Sequence, residues 1–349
     1  MDLALLKKVT EAPGVSGFEE PIRSVIFKEI QGLADEIYTD ALGNLIALKK
    51  GKQPKKLAIA AHMDEIGFIA THIDDEGFIR FHTLGGFDPK TLTAQRVLLH
   101  GKETILGVMG TKPIHVMSAE ERNKMPKTTD FFIDTGLPAE KVKELIPIGT
   151  PITRERELIQ MGPCINAKSL DNRISVYILI ELLRKMKDET PAFDTYAIFS
   201  VQEEVGLRGA ITAASGIAPD FGIGLDVTLA YDLPGASPHE VVTKLGKGTA
   251  IKVLDGTAIC DYRMVNFMRK TAEAHQIRHQ MEILTAGGTD TAGLQRSGKG
   301  GAIAGAISIP TRYLHQVIEM VHEEDVKDTI SLLHACTMEM NQFNTNFSL

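Results

Sequence analysis

Tryptophan is absent from this 349-residue chain, and cysteine occurs only three times, at Cys164, Cys260 and Cys336. Three cysteines so far apart form neither a disulfide framework nor a CxxC metal knot, so their pattern asks for no oxidising compartment. Long apolar runs are missing too. The longest, such as "ISVYILIELL" (174–183), reach about half the length of a membrane-spanning helix. No block of positive charge interrupts the formal balance of −7, 38 Lys+Arg against 45 Asp+Glu, which argues against nucleic acid or an anionic membrane as the main partner. The opening "MDLALLKKVTEAPGV" has an acid at its second residue and lysines within its apolar stretch, so it reads as an amphipathic helix and not as a secretory leader. The expected compartment is the cytoplasm.

What is present is an ordinary globular composition, 43% hydrophobic and 24% charged. The length allows two domains or one large core with an insertion. Residues 1–66 read as two helices followed by two strands, "GNLIALKKG" and "KKLAIAAH", the second apolar enough to be central. Ser16-x-x-Glu19 has the spacing of a capping box ahead of apolar residues at helical intervals, Ile22, Val25, Ile26 and Ile30. From about 67 to 160 the texture changes to short alternating runs broken by Gly, Asp and Pro. Long elements then return: a helix in "SLDNRISVYILIELLRKMK", strands in "TYAIFSV" and "FGIGLDV", a helix in "DYRMVNFMRKTAEAHQI", a buried strand in "GAIAGAISIP" and a closing helix. Alternating strands and long helices predict an α/β fold, a mostly parallel central sheet flanked by helices, with an inserted small β-rich domain. The catalytic part would span 1–66 and 161–349, and the insertion 67–160.

In a parallel sheet, functional groups gather beyond the carboxyl ends of the strands. Four strands here end on residues able to bind metal: His62 with Asp64, Glu203 with Glu204, Asp226, and His315 just past its strand. Asp171 lies at a helix start, where the dipole also favours a negative group. Adjacent buried carboxylates need water or a cation. Each residue also has a bland reading: Asp171 as an N-cap, Glu203 and Glu204 as a solvated strand end, Asp226 as a turn acid. His72, His82, His100, His275, His279 and His334 take such a reading. What favours a metal site is coincidence at one sheet edge, a mixed nitrogen and oxygen set suited to zinc, cobalt or manganese.

The stretches "AHMDEIGF", "SLDNR", "VQEEVGLRGA", "GLDV" and "YLH" closely resemble, in order and context, the motifs of the glutamyl/deblocking aminopeptidases, two-metal peptidases that include the tetrahedral aminopeptidases. The resemblance runs over nearly the whole chain. It implies that His62 is a metal ligand supported by Asp64, that Asp171 bridges two divalent metal ions, that Glu203 is the general base, and that Glu204, Asp226 and His315 are ligands. One metal would take His62 and Asp226, the other Glu204 and His315. Zinc is the first expectation, with cobalt or manganese as alternatives. Asn172 and Gln316 stand beside ligands where many relatives carry Asp and Ser. Peptide substrates are implied, and dimers built through 67–160 that assemble into a tetrahedral dodecamer.

The chemistry fits the residues. Two metals about 3.5–4 Å apart can share a water, lower its pKa and polarise a peptide carbonyl. Strand alternation would point Glu204 at a metal and Glu203 at the substrate and water. "TAGGTDTAG" (285–293) is the candidate for shaping the substrate pocket. Two other readings compete: a glycoside hydrolase, which also uses paired acids, and a non-catalytic assembly protein on the same fold. The histidines and the missing tryptophan speak against the first, the intact ligand set against the second. The preferred N-terminal residue is open.

Overall fold

The structure, a computed structural model, describes residues 1–347. Four strands form the middle of an eleven-stranded sheet and run parallel in the spatial order Phe193–Ser200, Gln53–His62, Phe221–Leu229, Ile303–Arg312. Their sequences are nearly continuous in apolar residues because helices cover both faces. Along Gln53–His62 the side chains alternate between two cores. Leu57, Ile59 and Ala61 join the larger one around helix Leu170–Lys185, while Ala58 and Ala60 meet Ala213, Ala214 and Ile217 of helix Arg208–Ile217. Antiparallel strands extend both sides, with Leu45–Lys49 next to Phe193–Ser200 and Glu319–His322 next to Ile303–Arg312.

Helix Leu170–Lys185 is buried over most of its length because Leu3–Glu11, Glu20–Ile30 and Glu323–Glu339 pack around it. The regular helix begins at Arg173, since Asp171 and Asn172 have non-helical dihedrals. The expected capping box does not form. Helix Glu20–Ile30 has no side-chain cap at its start, and Ser16 Oγ donates instead to Asp64 Oδ2 at 2.6 Å, while Glu19 Oε1 accepts from the backbone of Gly17 and Gln202. A buried carboxylate from a distant strand outcompetes the local cap.

Between Gly67 and Arg154 the chain leaves the sheet and closes a separate barrel of six strands, Gly67–Ile73, Ile79–Leu84, Phe131–Asp134, Thr104–Thr111, Arg96–His100 and Pro151–Arg154 in spatial order. Phe68, Ile79, Val97, Leu99, Phe131, Ile133 and Ile152 fill it. The first and last strands pair, Phe68 against Ile152, so the chain departs and returns at one place, which is what an insertion requires. The expected limit at 160 falls inside Ile159–Met161, which pairs with Cys164–Ala167 in the main sheet. The barrel therefore ends at Arg154. No helix among the described residues is long and apolar enough to cross a membrane.

Gly224, on the central strand Phe221–Leu229, lies directly under Thr291, and a Cβ there would collide with the threonine side chain. Gly224→Ala is expected to destabilise the fold by about 1–3 kcal/mol through overpacking, read as a lower urea midpoint.

Candidate active site

The parallel register sets His62 and Ser200 side by side at their strand ends, with Asp226 on the next strand and His315 just beyond the one after it. Asp171 reaches the same edge from the irregular start of its helix. Its two oxygens face different partners. Oδ1 lies 3.3 Å from His62 Nε2 and Oδ2 lies 3.3 Å from His315 Nε2. Glu203 Oε2 and Asp226 Oδ1 approach His62 Nε2 at 3.7 and 3.8 Å, and Glu204 Oε2 approaches His315 Nε2 at 3.6 Å. All six side chains line one cavity of about 360 Å³, together with Ala286, Gly287, Gly288 and Thr289 from the glycine-rich stretch and Lys252.

The support beneath these groups is made of buried carboxylates that hold backbone. Asp64 accepts from Ser16 Oγ, from the N–H of Glu203 at 3.0 Å and from that of Glu204 at 3.2 Å, and its carbonyl lies 3.2 Å and its carboxylate 3.4 Å from His62 Nδ1. It thus orients a histidine and anchors both glutamates. Glu203 and Glu204 do not lie on an extended strand, as alternation would have it. Gln202 has a positive φ of 54°, and the N–H of Gly206 returns to Glu203 O, so a turn separates the two side chains. Glu319, fully buried, plays the matching part elsewhere, taking the N–H of Asp171 at 2.9 Å and of His315 at 3.0 Å. Ser16, Glu19 and Glu319 carry no local signal of this role, because their partners are distant in sequence.

The electrostatics follow from crowding acids away from water. Burial pushes Glu203 well above the carboxylate range, and the charges of Asp226 and Glu204 add to it. Burial and then Asp171 push Glu204 up to about 8. Asp226 is raised by burial and Asp171. Asp171 moves the other way, since hydrogen bonds from His315 and His62 overcome its burial. Burial lowers His315, but Asp171 and Glu204 more than offset it and carry the imidazole up to about 10. The cluster has more carboxylate than positive charge. Glu204 Oε1 is buried without a hydrogen-bond partner. Two donor sets converge within reach of an ion, His62, Asp171 and Glu204, and His62, Glu203 and Asp226. Imidazole with carboxylate is the donor chemistry of a divalent transition metal, and these residues fit such ions.

Comparison with known proteins points the same way. A family model described as M42 glutamyl aminopeptidase matches residues 43–332. A lysyl aminopeptidase of Pyrococcus furiosus is 35% identical over 97% of this chain and 98% of its own length. The TET aminopeptidase of a Thaumarchaeota archaeon from marine sediment is 33% identical, covers 98% of each chain and superposes with a TM-score of 0.94. The Pyrococcus horikoshii TET1 peptidase, whose structures are described as a tetrahedron or a large octahedral shell, is 33% identical over 97% of this chain and 99% of its own, with a TM-score of 0.87.

Asp64→Asn would turn an amide N–H₂ toward one of the two backbone N–H groups, of Glu203 or Glu204, that now find an acceptor. An expected loss of about 1–3 kcal/mol in chelator-treated protein, measured by denaturant unfolding, matches the cost of a buried unsatisfied donor. An unchanged midpoint would remove Asp64 as the anchor of the glutamate turn.

Proposed function

The chain belongs to the M42 glutamyl aminopeptidase family, and from that premise we propose that it hydrolyses N-terminal residues from peptides at a centre of two divalent ions, with Glu203 as general base. The carrying observation is Asp171, whose oxygens each face a different histidine at 3.3 Å, the arrangement a bridging carboxylate needs. His62 and Asp226 would hold one ion, Glu204 and His315 the other. Zinc is the first choice, and cobalt or manganese suits the same donors. When bound, such a pair acidifies a water and polarises the scissile carbonyl.

The protein residues then have separate tasks. Asp64, whose carbonyl and carboxylate lie 3.2 and 3.4 Å from Nδ1 of His62, keeps the proton on that nitrogen and leaves Nε2 free to face the cluster. Glu203, whose affinity for a proton burial has raised, takes the proton from the attacking water and delivers it to the leaving amine. The turn at 203–206 fixes its distance from Glu204. The glycine-rich wall at 286–289 borders the space for the N-terminal side chain. A glycosidase would set two acids on opposite sides of a sugar bond. Here the acids converge on histidines.

Self-association is the second part of the proposal, through the barrel, as dimers that build a tetrahedral dodecamer. Leu106, Val108, Ile114, Val116 and Met125 are large apolar residues exposed on that unit, and the P. horikoshii relative can assemble into a tetrahedron or a large octahedral shell. The three cysteines are unpaired, in keeping with a cytoplasmic setting.

A panel of aminoacyl-chromophore substrates beside carboxymethylcellulose, with added zinc or cobalt and with chelator, tests the activity. Glu203→Gln is expected to keep its metal and lose about 10²–10⁴-fold in kcat, whereas Asp171→Asn should lose metal on dialysis. A Glu203→Gln enzyme within a few-fold of wild type would end the base assignment. Light scattering should show dimers or larger species, and a stable, fully active monomer would refute the assembly.

A further inference from the structure

The proposed assembly role leaves unexplained why the barrel touches the metal cluster. His315 sits past the end of strand Ile303–Arg312 with a positive φ of 61°, a conformation that costs a residue with a side chain and persists only when its surroundings impose it. Three contacts impose it, and two come from the barrel. Glu319 takes the N–H of His315. Arg154, the last residue of the last barrel strand and 3% exposed, donates from Nη1 to the His315 carbonyl at 3.2 Å. The Gly86 carbonyl, in the turn after barrel strand Ile79–Leu84, lies 2.8 Å from His315 Nδ1. That acceptor places the proton on Nδ1 and turns Nε2 toward Asp171 and Glu204.

At Gly85 the same turn fits against the cluster only because it lacks a side chain. Gly85 has a φ of 89°, and a Cβ on it would collide with Ile66 and come within 3.3 Å of Glu204 Cβ. A Cβ on Gly86 would sit 3.5 Å from His315 Nδ1. The Arg154 guanidinium lies 5.8 Å from the Phe87 ring centroid, so the strand end and the turn brace each other. Its Nε and Nη2 are buried with no hydrogen-bond partner among the described residues. Its charge instead offsets the burial of Glu319, the acid that takes the N–H groups of Asp171 and His315, so the guanidinium serves the site more than the barrel.

We infer that the barrel completes one half of the metal centre, with Arg154 as a positioning residue that fixes His315 while the His62 half is held outside the barrel, by its strand and by Asp64 and Ser16. This rests on the two-metal reading proposed above. Arg154 touches neither substrate nor the reacting atoms, so its signature is a difference between two metal affinities.

The test uses the full chain, stripped with chelator and titrated with zinc alone by calorimetry, with circular dichroism to establish folding. Wild type is expected to bind two ions. Arg154→Met should weaken one of them by about 10- to 100-fold, the usual effect of losing a group that orients a ligand, and leave the other unchanged. Arg154→Lys, whose ammonium can still donate to the carbonyl, should recover part of the loss. If Arg154→Met does not fold, Arg154→Gln against Arg154→Lys gives the same comparison. Wild type that binds no zinc overturns the two-metal reading itself. Wild type with two sites, and variants in which both sites are unchanged or weaken together, overturns this inference alone.

Discussion

A carboxylate held between two histidines organises this molecule. Asp171 is shared by His62 and His315, and around that axis the side chains of Glu203, Glu204 and Asp226 are less than a tenth exposed. Burying that many acids against two imidazoles is unfavourable unless a cation supplies the missing charge. The raised proton affinities of Glu203, Glu204 and Asp226 express the same deficit. Much of the surrounding architecture serves to hold these groups together despite their repulsion.

The holding is done by backbone and by acids that are not in the cluster. Asp64 and Glu319 each take the N–H groups of two cluster residues, so the positions of four side chains are set by two buried acceptors. For Asp64, whose carboxylate His62, Ser16 and the Glu203 N–H keep ionised against its burial, such bonds to a charged acceptor are stronger than neutral ones. They also act at the start of each side chain, where a small rotation would become a large displacement at its tip. The parallel strands supply the base for this. Helices on both faces keep Gln53–His62 and Phe221–Leu229 from shifting in register, and their ends remain level.

The central strands and their terminal acids and histidines were legible because apolar runs and strand-end polarity are local features of a chain. What was not legible depended on partners far away. Ser16 and Glu19 have capping-box spacing, yet Asp64, 48 residues beyond Ser16, is a better acceptor than a helix end exposed to water. Glu203 and Glu204 follow a strand that ends at Ser200, and alternation does not set the directions of their side chains, because a positive φ at Gln202 starts a turn. Glu319 reads as one acid among several near the last helix, and only the fold places it under Asp171 and His315. The barrel limit slid from Arg154 to 160 because Ile159–Met161 is as short and alternating as the barrel strands, and its pairing partner decides where it belongs.

The two ends of the cluster differ in their exposure. The His62 side chain is 2% accessible, whereas that of His315 is 38%, and Asp171 between them is at 10%. Solvent therefore reaches the centre past His315, the end that the barrel turn and Arg154 hold. His62, on a well-buried strand end, is kept in place by the strand and by Asp64 beside it. A ligand at the mouth, on a strained residue outside the sheet, needs support from elsewhere, and the insertion returns to the sheet where it can give it. If copies of the chain also meet through the barrel, the surface that joins them and the residues that steady the open half of the site belong to one small closed barrel. Assembly would then bear directly on the entrance to the cavity, with little effect on the buried His62 half.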